Sequence, residues 1–247
     1  VSVQVLAGET PVVSAAHYCA EPQLVLHLDI PEPQLWYPAP YGPQPLYTLR
    51  ITVGEQVLEE TFGIRTVKIL QLPDAPGSAE EALCRQLQQT PSGRDYDENE
   101  RFSGFILLVN GVRIFCTGAN WVPCEPFPSA EAPEKITQLL EKARRMGINM
   151  LRVWGGGIFE QEHFYRECTR LGILVTQDML MACGDYPEED SHFAEQLRQE
   201  AVQAARLLRN HTCLVWWSGD NENSVDGWDT ESSYRGRTAA RRILAPV

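Results

Sequence analysis

The sequence predicts an all-β plus α/β chain: a small antiparallel β-sandwich over residues 1–70, then the first half of a (β/α)8 barrel over 103–247. Three observations carry this. The first 70 residues alternate apolar and polar side chains with the two-residue period of half-buried strands. From residue 103, strand-like runs alternate with helical patterns. Those runs recur at intervals of roughly 25 to 40 residues, the spacing of barrel strand–helix units.

In the first part, Leu24, Leu26, Leu28 and Ile30 alternate with Val25, His27 and Asp29. Tyr47, Leu49, Ile51 and Val53 alternate with Thr48, Arg50 and Thr52, and Gly54-Glu55 offers a turn. Pro31, Pro33, Pro38, Pro40, Pro43 and Pro45 make the segment between them a loop, because proline removes a helix donor and clashes with the preceding turn. Residues 71–102 break the pattern. Prolines and glycines there surround the acidic run Asp95-Tyr96-Asp97-Glu98-Asn99-Glu100, which reads as a solvated insertion or linker with one short helix over Ala79–Gln88.

In the second part, Phe105–Val109 runs into Asn110-Gly111, a type I′ turn signal, and on to Val112–Phe115. Pro133 suits the first turn of a helix whose apolar face is Ile136, Leu139, Leu140, Ala143 and Met146. Arg144 and Arg145 suit its C-terminal end, and Gly147 stops it. A strand over Asn149–Trp154 follows, then a helix with Phe164, Cys168 and Leu171 on one side, ending at Gly172. Ile173–Asp178 is the next strand. A helix over Ser191–Leu208 turns Phe193, Leu197, Ala201, Ala204 and Leu208 inward, and the last strand runs from Cys213 to Asn221-Glu222. A doubly wound sheet is the alternative, but no G-x-G-x-x-G follows a first strand. Gly155-Gly156-Gly157 alone is weak evidence for a phosphate site.

The net charge of −12 and pI near 4.9 argue against nucleic acid or an anionic membrane surface as a partner. Seven cysteines without a C-x-x-C pair read as reduced thiols, with Cys116, Cys168, Cys183 and Cys213 in or beside apolar elements as small buried hydrophobes. Neither His163 nor His192 lies at metal-ligand spacing from them, so no metal and no cofactor is expected. The start, Val1-Ser2-Val3-Gln4-Val5, has no basic region or long apolar run, and both ends read as cut.

In this layout the strand tips bring Asn120-Trp121, Trp154, Asp178 and Asn221-Glu222 to one mouth, the end at which such barrels keep their chemistry. Rings beside carboxylates and amides suit a sugar, whose C–H faces stack and whose hydroxyls need hydrogen-bond partners. Glu222 is the sharpest of these, because a carboxylate at a tryptophan-rich strand end is costly unless paired or used.

Arg152-Val153-Trp154-Gly155-Gly156-Gly157 and Trp217-Ser218-Gly219-Asp220-Asn221-Glu222-Asn223 resemble motifs of the β-mannosidases of glycoside hydrolase family 2. Gly118-Ala119-Asn120-Trp121-Val122-Pro123 is similar to the family's first barrel strand. Gln177-Asp178 with Met181-Ala182-Cys183 and Tyr186-Pro187 is similar to its third. Leu35-Trp36-Tyr37-Pro38, Gly42-Pro43-Gln44-Pro45-Leu46-Tyr47 and Phe62-Gly63-Ile64-Arg65 resemble the domain before the barrel. The resemblance implies an immunoglobulin-like β-sandwich followed by half of a TIM barrel, and a retaining exo-hydrolase of terminal β-linked mannose acting on a β-mannoside-type oligosaccharide or glycan. It makes Glu222 the general acid/base and puts Asn221 on the sugar 2-hydroxyl. Trp154 and Asp178 would line the pocket, Arg152 would orient the carboxylates, Trp228 would wall the site, and Trp121 is also counted as substrate-binding.

A retaining mechanism needs a second carboxylate about 5 Å away as nucleophile. In the family it comes from a later strand, beyond residue 247, and Asp226, Asp229 and Glu231 stand too close to Glu222 to serve. The chain alone is therefore expected to be inactive. Asp220 stands where an Asn is common in these enzymes, and tolerance is expected there. A non-catalytic carbohydrate-binding or scaffold protein is the rival of another class. A β-galactosidase- or β-glucuronidase-like hydrolase is the rival within the family. The open edges of a half barrel also predict self-association.

Overall fold

The computed structural model describes residues 1–21, 23–88, 103–184, 186–223 and 239–247. Among them are three sheets and four α-helices.

The first sheet is antiparallel. Strand β1 (Ser2–Ala7) lies between β2 (Thr10–Ala16) and β3 (Tyr47–Val53), and β4 (Gln56–Phe62) pairs on β3. Val3 and Val5 are buried by alternation, and a register shift between Val5 and Leu6 buries Leu6 as well. The expected alternation of β3 weakens along the strand: Tyr47 is buried, Leu49 and Ile51 are half-buried, and Val53 is exposed. Leu24–Ile30 forms no ladder. Leu26, Leu28 and Ile30 are half-buried and line a groove with Val5 and Leu49, so the two-residue period here marks extended chain packed by one face.

The second sheet crosses both expected domain boundaries. Strand β5 (Val67–Pro73) pairs antiparallel with β6 (Ser103–Val109), which pairs with β7 (Val112–Ile114) through the Asn110-Gly111 turn. Residues 74–102 therefore leave and rejoin one sheet, and the helix α1 (Ala79–Gln88) lies on that excursion.

The third sheet is parallel and runs in chain order: β8 (Gly118–Trp121), β9 (Met150–Val153), β10 (Leu174–Asp178) and β11 (Leu214–Ser218). Helix α2 (Pro133–Arg145) follows β8, α3 (Glu162–Leu171) follows β9 and α4 (Ser191–Leu208) follows β10. Their starts and stops follow the local chemistry. Pro133 opens α2, Asp190 caps α4 by accepting from the His192 and Phe193 N–H groups at 2.9 Å, and Gly172 closes α3 with φ 72°. Met146 was expected on the apolar face of α2; it lies past the last helical residue and is exposed.

Register divides the parallel sheet into two faces. Trp121, Leu151, Val153 and Val175 pack on Ile136, Leu140, Phe164 and Cys168 of the helices. Asn120, Arg152 and Thr176, level with one another, project the opposite way. The N-terminal ends of the strands are covered by the second sheet and by the segments around Trp36 and Gly63. Met150 and Leu174 pack with Trp36, Leu107, Val109 and Ile114. The buried Trp36 indole donates to Thr169 O at 2.9 Å, and Gly63 N–H donates to Thr212 Oγ1 at 2.7 Å. A Cβ on Gly63 would stand 2.8 Å from Thr212 Cγ2, so only glycine allows this approach. The opposite, C-terminal ends are left for the site.

Candidate active site

Arg152 is the third of the four residues in β9, and Asp178 closes β10 on the neighbouring strand. Arg152 Nε donates to Asp178 Oδ1 at 3.1 Å and Nη2 to Oδ2 at 2.6 Å. The Gly155 N–H adds a third bond to Oδ2 at 3.1 Å. Asp178 is fully buried, and this two-point contact with a guanidinium is the arrangement that offsets the desolvation of a carboxylate. The same Nη2 donates to Asn221 Oδ1 at 2.8 Å, which sets which end of the amide is oxygen.

Asn221 is buried and its backbone is clamped. Its N–H donates to Met181 O at 2.8 Å, and its carbonyl accepts from Cys183 N–H at 2.9 Å. On either side of this clamp, Cys183 and Glu222 adopt left-handed φ values of 51° and 54°. Residues without the freedom of glycine hold that conformation only where their surroundings impose it, and such positions cluster at functional sites. The two side chains meet: the Cys183 thiol faces Glu222 Oε2 at 3.6 Å, and Asn221 Nδ2 donates to Cys183 Sγ at 3.5 Å. Glu222 is exposed, so the burial expected around it is not supplied by the described residues. Burial pushes the carboxyl of nearby Asp220 up, opposed by the Asn223 N–H.

Trp154 follows β9 and is half-buried. The glycine triplet explains its place. A Cβ on Gly156 would lie 2.1 Å from the Trp154 ring, and one on Gly155 would lie 2.6 Å from Met179 O. The triplet therefore lets the indole fold over its own chain and the loop approach the tip of β10; nothing about it calls for a phosphate. Gly156→Val should swing the Trp154 ring outward, shifting tryptophan emission to the red. The stability loss should stay within the about 1–3 kcal/mol of overpacking. Unchanged emission would contradict this placement.

The sequence-predicted set is thus brought together for Arg152, Asp178, Asn221 and Glu222, with Trp154 joined through Gly155. Trp121 departs from it. Expected as a substrate contact, Trp121 points to the helix side, only 8% exposed, its ring tilted against Phe164 with centroids 4.9 Å apart. Its indole N–H donates to Glu160 Oε1 at 2.9 Å. Its position at the strand tip was right, but strand alternation sends its ring into the core. Trp228 lies outside the described residues. The sequence reading missed Cys183 as a neighbour of Glu222, and missed the buried Glu160 and Glu131, which no periodicity marks.

His163 Nε2 lies 2.8 Å from Thr137 Oγ1 and 3.1 Å from Pro133 O, a structural use. Among the described residues no group of three or more His, Cys, Asp or Glu could hold a metal ion. All seven cysteines are free. Cys168 and Cys213 are buried as expected, whereas Cys116 and Cys183 are exposed because each lies in a loop beyond a strand end. Burial pushes the Cys213 thiol up to about 12 and raises the Cys168 thiol well above its ordinary range. Alkylation at pH 8, mapped by mass spectrometry, should therefore leave Cys168 and Cys213 intact until the chain unfolds, while the exposed Cys116 and Cys183 are open to the reagent.

The profile of Glycosyl hydrolases family 2 matches residues 1–65. A β-mannosidase B from Neosartorya fischeri is 36% identical over 203 residues, covering 79% of this chain and 21% of that protein. The β-mannosidase of Capra hircus is 32% identical over 210 residues, 81% of this chain and 21% of that protein. A crystal structure of a β-D-mannosidase from Dictyoglomus thermophilum superposes with a TM-score of 0.81 at 32% identity, over 98% of this chain and 28% of that one. The chain matches glycoside hydrolase family 2 through residues 1–65. Its similarity is to the β-mannosidases of that family, and it spans about a fifth of the length of the curated relatives it matches. A Parabacteroides merdae β-glucuronidase, at TM-score 0.67 and 21% identity over 90% of this chain and 24% of that one, shares the fold.

Proposed function

We propose that this chain is part of a retaining exo-β-mannosidase, with Glu222 as its general acid/base. Residues 1–70 would form an immunoglobulin-like domain, 71–102 an insertion, and 103–247 the first half of a (β/α)8 barrel whose floor is the β6–β7 hairpin. The chain-order parallel sheet and its three covering helices support that assignment. The observation that carries the functional reading is the linked set Arg152–Asp178–Asn221, with Glu222 next in sequence at the C-terminal ends of adjacent strands.

Glu222 would protonate the departing glycosidic oxygen and later take a proton from the attacking water. Asn221 Oδ1 is occupied by Arg152, and among the described residues its Nδ2 is held only by a thiol sulfur, a weak acceptor. That leaves an N–H for the sugar 2-hydroxyl, a contact that strengthens in the transition state. Trp154 would supply the stacking wall. Asp178 is fully engaged by Arg152 and Gly155, so its role is to orient these groups. The nucleophile would come from a strand outside residues 1–247.

The test is made on a chain that continues through the strand carrying the nucleophile. It should cleave an aryl β-mannoside in preference to the β-glucuronide and β-galactoside, releasing β-mannose first by NMR. Preference for either rival sugar, or first release of the α-anomer, would overturn the proposal.

A further inference from the structure

Two buried carboxyl groups outside the site face each other. Glu131 ends the loop that follows β8, and Glu160 ends the loop that follows β9; they are 7% and 5% exposed. Each uses one oxygen on its surroundings. Glu131 Oε1 accepts from the Cys124 N–H at 2.9 Å, and Glu160 Oε1 accepts from the Trp121 indole at 2.9 Å. The other two oxygens, Glu131 Oε2 and Glu160 Oε2, are buried with no hydrogen-bond partner among the described residues, and Glu131, through its charge and a side-chain hydrogen bond, pushes the Glu160 carboxyl up. Two ionised carboxylates so placed would repel one another in a poorly solvated space.

Among the described residues the cation nearest the pair is Lys135, which feels the Glu131 charge but makes its hydrogen bonds elsewhere. Of the other facing groups, Trp121 comes from β8, Cys124 from the loop, and Tyr165 and Cys168 from α3, and all four are neutral. The near cation, Lys135 of α2, is engaged by Cys124 O at 2.7 Å and Glu125 Oε1 at 2.5 Å. The two loops also touch beside the site: Trp154 N–H donates to Trp121 O at 3.1 Å, and a Cβ on Gly157 would stand 2.9 Å from Pro123.

We propose that Glu131 and Glu160 hold a single proton between their Oε2 atoms, and that this shared proton locks the loop after β8 to the loop after β9, so that the pair positions Trp154. Its bearing on catalysis rests on reading Trp154 as the pocket wall; the lock itself is measured without substrate. Burial first, then the Glu131 charge and hydrogen bond, push the Glu160 carboxyl from its ordinary 4.5 up to about 7, against the Trp121 N–H. A raised acid contributes stability that is fully present below the ordinary glutamate range and is lost as pH rises through about 7.

The experiment compares residues 1–247 with the variants Glu160→Gln and Glu131→Gln. A glutamine amide can donate the same hydrogen bond at any pH. The wild-type melting temperature should fall by several degrees between about pH 5 and pH 8, and Glu160→Gln should remove that fall. Over the same interval, amide exchange at Cys124 and Gly157, corrected for intrinsic rates, should accelerate by up to about two orders of magnitude in the wild type and little in the variants. Other groups that titrate here, such as His211, act equally in all three chains and cancel in the comparison. Identical pH profiles in wild type and Glu160→Gln overturn the proposal. Should the variants fail to fold, infrared spectra of the wild type decide: a protonated-carboxyl C=O band present at pH 6 and lost with a midpoint near 7 supports the shared proton, and no such band at pH 6 refutes it.

Discussion

Arg152→Met should be the most destabilising single change at the site, by about 3–5 kcal/mol at neutral pH, the range for removing one partner of a buried ion pair. For a chain of this size that is a fall in melting temperature of order 10 °C. The two partners differ in burial. Asp178 is 0% exposed at its side chain and Arg152 is 36% exposed. Removing the arginine strands a carboxylate that water cannot reach, with only the Gly155 N–H left to it among the described residues. Removing the charge from the other side, with Asp178→Asn, leaves a guanidinium that solvent can hydrate and that still bonds Asn221. That variant should lose only about 1–3 kcal/mol, the scale of a hydrogen bond to a charged group. Urea denaturation of both variants measures the difference. Equal losses, or a larger loss for Asp178→Asn, would mean the pair is solvated in a way its burial does not suggest.

Glu222→Gln should have the largest effect on turnover, measured in a chain that includes the nucleophile strand. For substrates with poor leaving groups the loss should be about 10²–10⁴-fold, the usual contribution of a positioned general acid. For activated aryl glycosides, which leave without protonation, the first step should be nearly unaffected and water attack should become limiting. Added azide, which needs no general base, should then restore turnover and yield the glycosyl azide with retention. The fold should be untouched, since Glu222 is exposed and its side-chain contact among the described residues is the Cys183 thiol. Undiminished activity on natural linkages would remove Glu222 from the acid/base role, and a collapse of melting temperature would make its role structural.

The helices were legible because their signals are local. Pro133, Asp190 and Gly172 punctuate them within one turn, and the 3.6-residue apolar spacing of α4 needs no knowledge of what it packs on. The order of the parallel strands was legible for the same reason. Strand grouping in the N-terminal part was not. The pairing of Val67–Pro73 with Ser103–Val109 joins segments separated by some thirty residues, and the loop-closure cost of such a pairing leaves no mark in a short window of sequence. Leu24–Ile30 shows the converse, with an apolar alternation that lacks a hydrogen-bonded neighbour.

At the site, the motif residues Arg152, Asp178, Asn221 and Glu222 could be named from the chain because each stands at or near the end of an apolar run. Their mutual contacts could not. Whether a tip side chain faces the mouth or the helices is a matter of strand alternation and register, and this sends Trp121 into the core while its neighbour Asn120 stays exposed. The meeting of Cys183 with Glu222 depends on the backbone clamp between Met181–Cys183 and Asn221. The facing of Glu131 and Glu160 depends on two loops brought together by separate strands. The amino-acid pattern determined the elements, their order and the chemistry at their ends, because propensity, capping and periodicity act over a few residues. Only the tertiary structure decided which carboxylates are paired, shared or exposed, because burial and proximity are set by residues far apart in the chain.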